Sequence, residues 1–138
     1  MENWLEDVAP QLGLADWSIT VDWSIDGWDV SKYDSDGIPE AIASNSNAPD
    51  SKNAVIRISD YFLKLSVEEQ THTLVHELMH CYLFNLQNFA VNGFTLAAKE
   101  QPLAQELFYA GLNQQVEIVV DALADIYWQN VPLLDLEM

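Results

Sequence analysis

One helix in the middle of the chain sets the terms for the rest. From Ser66 to Phe84 the residues SVEEQTHTLVHELMHCYLF read as amphipathic. Ser66 is placed as an N-cap, and Glu69 three residues on completes a capping box. Val67, Thr71, Leu74, Leu78, Cys81 and Tyr82 recur at threes and fours, which gives one buried face. His76-Glu77-Leu78-Met79-His80 stands on this helix. Histidines four apart lie one turn above each other, roughly 6 Å along the axis. Both imidazoles can then reach one ion at about 2.0–2.1 Å, the Zn–N distance. Glu77 is rotated about 100° from His76, so it is placed to take a proton from an ion-bound water and not to ligate. That is the mechanical content of the H-E-x-x-H motif.

A catalytic zinc takes three protein ligands and keeps one position open. His72 lies on the same stripe but roughly 12 Å along the axis from His80, too far to share an ion with it; it reads as a surface or supporting histidine. The better third ligand is Glu117, in QVEIVVDALAD at 115–125. Glu117 and Asp121 are one turn apart and flank an apolar stripe of Leu112, Val116, Val119, Leu123 and Ile126. Acids beside a buried seam are costly unless paired or bound to a cation. A zinc ion gives Glu117 a reason to be there, and Asp121 can fix the tautomer of a ligand histidine.

Charge narrows the partners. The chain of 138 residues has 22 acidic and 5 basic residues, net −17, so its surface repels phosphate backbones and speaks against binding DNA or RNA. The acidity reads first as a means of solubility, and its sharper reading is attraction of a basic peptide or protein. No apolar run approaches the roughly 20 residues that cross a bilayer, and Met1 to Asp7 lacks the features of a secretory signal. Cys81 is the only cysteine, so no internal disulfide forms; it reads as a small core residue in a cytoplasmic protein.

In chain order, one domain over 1–138 is expected, of α+β class. Asn3 to Leu12 reads as a helix ended near Pro10 and Gly13. Trp17 to Ser24 alternates as a strand with Trp17, Ile19, Val21 and Trp23 inward. Asp26 to Gly37 reads as a polar loop; Asp34-x-Asp36-Gly37 has only half the pattern of a calcium loop. Ile38 to Asn45 is expected as a second strand, Ser46 to Asn53 as turn, and Ala54 to Ser59 as a third strand. After the motif helix, Asn85 to Ala98 reads as a mixed stretch with Gly93. Lys99 to Tyr109 reads as a helix, with a break or bend at Gly111 before a second strong helix from Leu112 to Gln129. The expectation is a small sheet of about three strands packed on the motif helix and the glutamate helix.

His76-Glu77-x-x-His80 followed by Glu117-x-x-x-Asp121 resembles the gluzincin, thermolysin-like metallopeptidases. The layout is similar to the very small zincins of phages and other mobile elements. The resemblance implies His76, His80 and Glu117 as zinc ligands, Glu77 as general base and Asp121 as support to a histidine. It also implies a substrate-pairing edge strand away from the motif helix, matched here by Ile42, Ala43, Ser44 and Asn45. No histidine follows His80, so the family's transition-state histidine has no counterpart; Tyr109 and Tyr127 are the candidate substitutes, though each reads first as a packing residue. A zinc-dependent peptidase is therefore expected. The alternatives are a zinc-binding regulatory or partner-binding module with little generic proteolysis, a metal that only staples two helices, and an acidic nucleic-acid mimic.

Overall fold

The computed structural model describes residues 1–22, 43–48 and 52–135. The fold is α+β. Helix α1 (Glu2–Gln11) leads to strands β1 (Ser18–Asp22), β2 (Ala43–Ala48) and β3 (Asn53–Ile58) and a 3-10 turn at Asp60–Lys64. Two long helices follow, α2 (Val67–Ala97) and α3 (Pro102–Tyr127), then a last 3-10 turn at Trp128–Asn130. No helix among the described residues is long and apolar enough to cross a membrane.

Local chemistry places the ends of these elements. Gly13 takes a φ of +78° just past α1, a conformation glycine adopts without a Cβ penalty. Ser66 and Glu69 form the capping box of α2, each side chain meeting the other's backbone N–H at 3.1 Å. Pro102 opens α3, where its missing N–H costs nothing.

β3 is central, with β1 parallel on one side and β2 antiparallel on the other. Ala54, Ile56 and Ile58 of β3 are buried, while Val55 and Arg57 turn away. The buried face of β3 joins Trp4, Leu5, Val8 and Leu12 of α1, Leu74, Leu78 and Met79 of α2, and Val116, Val120 and Ala124 of α3 in one core. The C-terminal tail straps this core. Trp4 Nε1 donates to Pro132 O at 2.7 Å, and the Leu134 N–H donates to Thr71 Oγ1 at 2.9 Å. The first half of α2, which carries the histidines, is thus held on three sides.

Three expectations are corrected. β2 takes in Ser46, Asn47 and Ala48, which composition assigns to a turn; pairing from Ala43 with Ile58 to Ala48 with Asn53 outweighs their low strand propensity. α2 runs unbroken through Gly93 to Ala97, and α3 runs through Gly111 without a break. Each glycine costs about 1 kcal/mol in a helix, less than the two helices gain along their shared face. That face includes a stack of Phe94 on Phe108, centroids 4.1 Å apart, and a Gln87 Nε2 to Asn113 Oδ1 bond of 2.8 Å. Trp23, the acidic loop with Asp34 and Asp36, and Ile38 to Ile42 lie outside the described residues.

Candidate metal centre

α2 and α3 are antiparallel, and each carries its polar residues one turn apart on the facing side. His72, His76 and His80 therefore meet Asp125, Asp121 and Glu117 in reverse order. His72 Nε2 is 2.8 Å from Asp125 Oδ1. His76 Nδ1 is 2.9 Å from Asp121 Oδ1, and its Nε2 is 3.3 Å from Glu117 Oε2. His80 Nε2 is 3.1 Å from Glu117 Oε1. The rings of His76 and His80 stand edge to face at 5.1 Å.

This arrangement asks for positive charge at its centre. A neutral imidazole has one N–H and one bare lone pair. If the Nδ1–H of His76 serves Asp121, its Nε2 lone pair points at the Glu117 carboxylate. The two repel unless the ring takes a second proton or a cation stands between them. Among the described residues, Glu117 and Asp121 meet histidines and neither lysine nor arginine.

The donor set fits a zinc ion. Atoms of His76, His80 and Glu117 lie within 4.8 Å of one another. Two ligands at about 2.0–2.1 Å on a tetrahedral ion are held roughly 3.3–3.4 Å apart. The Glu117 contacts of 3.3 and 3.1 Å with the two Nε2 atoms are of that length. Two neutral nitrogens and one carboxylate suit zinc better than calcium or magnesium, which take oxygen ligands. The histidines are about one-fifth exposed and Glu117 about half, so the centre opens on one side.

Burial tunes the titratable groups. Glu77 is 5% exposed. Desolvation first, then the Glu117 charge, pushes its carboxyl up to about 8. Desolvation also lowers His80, against the opposing pull of Glu117, which favours its neutral, ligating form.

The structure brings His76, His80, Glu117 and Asp121 together and sets Glu77 on the buried side of the same helix turn. His72 stands off the centre, as its spacing implies. Its pairing with Asp125 was missed, although the four-residue step that links Glu117 to Asp121 extends directly to Asp125. Two implied placements differ. Tyr109 bonds Thr95 in the far part of the helix pair, two turns from Glu117, and Tyr127 lies ten residues beyond Glu117, roughly 15 Å along the axis. Neither reaches the centre from there. Tyr127 instead borders a cavity of about 370 Å³ with Met79, Tyr82, Leu123 and Gln11–Gly13. Ala43, Ser44 and Asn45 do lie on an edge strand, but β2 packs along α2 and is not the strand away from it. Comparisons of the chain with protein-family models, with curated proteins and with solved structures gave no significant match.

Proposed function

We propose that the chain is a zinc-dependent peptidase of the H-E-x-x-H kind, similar to the gluzincins, on a minimal zincin-like frame. The observation that carries this reading is the meeting of His76 and His80 with Glu117 from a different helix, beside a buried Glu77. Zinc bound there would polarise a substrate carbonyl and lower the pKa of a water towards about 7. Asp121 accepts from His76 Nδ1–H, which leaves the Nε2 lone pair for the metal. Glu77 takes a proton on its carboxylate and returns it to the nitrogen of the leaving amine. A carboxyl pushed up to about 8 is a strong enough base for this, and a dication held by His76, His80 and Glu117 would favour its ionised form.

Among the described residues, β3 pairs with one side of β2 and no strand pairs with the other. An extended peptide can pair with the main chain of Ala43, Ser44 and Asn45. The net charge of −17 favours substrates with lysine or arginine near the cleaved bond. Cys81 is buried and is the single cysteine of the chain, in keeping with a cytoplasmic setting.

The test pairs metal analysis with a peptide library. One zinc per chain and cleavage that Glu77→Gln abolishes are expected. Stoichiometric zinc with no cleavage of any library peptide overturns the peptidase reading and favours the partner-binding module. Cleavage retained by Glu77→Gln removes Glu77 from its role.

A further inference from the structure

We propose that the far halves of α2 and α3 form an arm through which two copies of this chain associate, the contact being the outward stripe of α2. The proposal is independent of the metal centre. Its first ground is the distribution of charge. Between Leu78 and Ala98 there is no Asp, Glu, Lys or Arg. From Leu78 to Val116 the charged residues are Lys99, Glu100 and Glu106, a net −1 in a chain of −17. Two copies this acidic repel each other over most of their surface. The arm is where they can touch without setting like charges together. A basic partner would be drawn to the acidic remainder instead.

The second ground is the stripe itself. Tyr82, Leu86, Phe89, Gly93 and Leu96 step by four, three, four and three, the spacing of a helix seam. Gln87 and Phe94, which meet α3, lie on the other side of α2. The stripe prolongs the row Thr71, Val75, Leu78 and Met79, which is buried in the core. It loses its cover where α1 ends, at Leu12 and Gly13 beside Tyr82. Beyond that point Leu86 is 67%, Phe89 76% and Leu96 69% exposed.

The third ground is Gly93. A Cβ built there would meet nothing within 4 Å, so packing inside the chain does not call for glycine. Glycine inside a helix costs about 1 kcal/mol relative to alanine. A second helix crossing at this point accounts for it, because the missing side chain lets the axes approach. The area is adequate. With a full aromatic side chain worth about 150–250 Å², the four large residues of the stripe expose on the order of 500 Å². Two copies would therefore bury on the order of 1,000 Å² in total, the lower end of the range for specific interfaces. Flanking Asn85 and Asn92 supply a polar rim to that apolar centre.

Sedimentation equilibrium on the full chain over the micromolar range tests this. A dimer is expected, tightened by salt as screening relieves repulsion between the acidic bodies. Phe89→Asp is expected to weaken it by at least about tenfold, with an unchanged circular dichroism spectrum. Gly93→Leu is expected to weaken it as well, by holding the helices apart. A wild-type monomer at every concentration in high salt overturns the proposal, including one that binds neutral vesicles. A dimer that survives both substitutions also overturns it.

Discussion

Nδ1 of His76 stands 2.9 Å from Oδ1 of Asp121, and a ring that donates there keeps its Nε2 lone pair for the proposed metal. Removing this contact should loosen the ring and favour the wrong tautomer. Asp121→Ala is expected to lower zinc affinity by about 10–100-fold, measured by competition with a chromogenic chelator. Asp121→Asn, which still offers an acceptor, is expected to lose less. Equal affinity in wild type and Asp121→Ala would remove the supporting role.

In the proposed metal centre Glu117 joins the two helices, so metal binding and stability should be linked. Zinc at about 100 times its dissociation constant adds about 2.7 kcal/mol to a chain that binds it only when folded. The Tm of the wild type is expected to rise with zinc and fall with chelator. Glu117→Ala is expected to hold less than one zinc per chain and to show a Tm indifferent to zinc. A zinc-dependent Tm in that variant would point to a different third ligand.

Metal-free protein carries its own pH signature. Glu77 has its carboxyl raised from 4.5 to about 8 by burial and by Glu117. Between about pH 4.5 and pH 8 the folded chain holds a proton that the unfolded chain has released, so stability falls as pH rises. The contribution is whole below that window and gone above it. At about 1.36 kcal/mol per pKa unit, the window is worth about 5 kcal/mol. Urea denaturation in chelator across this range should show the decline, and Glu77→Gln should flatten it. The same slope in both proteins would assign it to another group.

Gly13 is exacting for two reasons. Its φ is +78°, and a Cβ there would clash with the Tyr82 hydroxyl. Gly13→Ala is expected to cost about 2 kcal/mol, from backbone strain of about 1–2 kcal/mol and displacement of the phenol. Tyr82→Phe in that background should restore part of the loss. Chemical denaturation reads both, and an unaffected Gly13→Ala would show that α1 can end without the left-handed turn.

The centre was legible because each of its residues obeys a local rule. Two histidines one turn apart share one side of a helix, and Glu117 beside an apolar stripe calls for a counter-charge. Asp125 continues the same four-residue step from Asp121, but only the alignment of α2 with α3 sets it opposite His72. The lengths of α2 and α3 were not legible. Gly93 and Gly111 each argue locally for a break, while the Phe94–Phe108 stack that outweighs them joins residues fourteen apart across the turn between the helices. β2 was misplaced for a related reason. Serine and asparagine are poor strand formers, and the bonds that make Ala43–Ala48 a strand come from β3.

The three histidine–acid rungs repeat every four residues on both helices, and a repeated pattern admits sliding. Were α3 displaced by one turn, His76 would face Glu117 squarely and His72 would face Asp121, so two rungs would survive and the polar rungs alone would barely object. Such a slip moves the helix roughly 6 Å along its axis and leaves His80 opposite Asn113. What forbids it is remote from the histidines: Phe94 must leave Phe108, and Gln87 must leave Asn113. The distant aromatic pair thus works like the notch on a key, choosing the one alignment in which a carboxylate sits between two imidazoles.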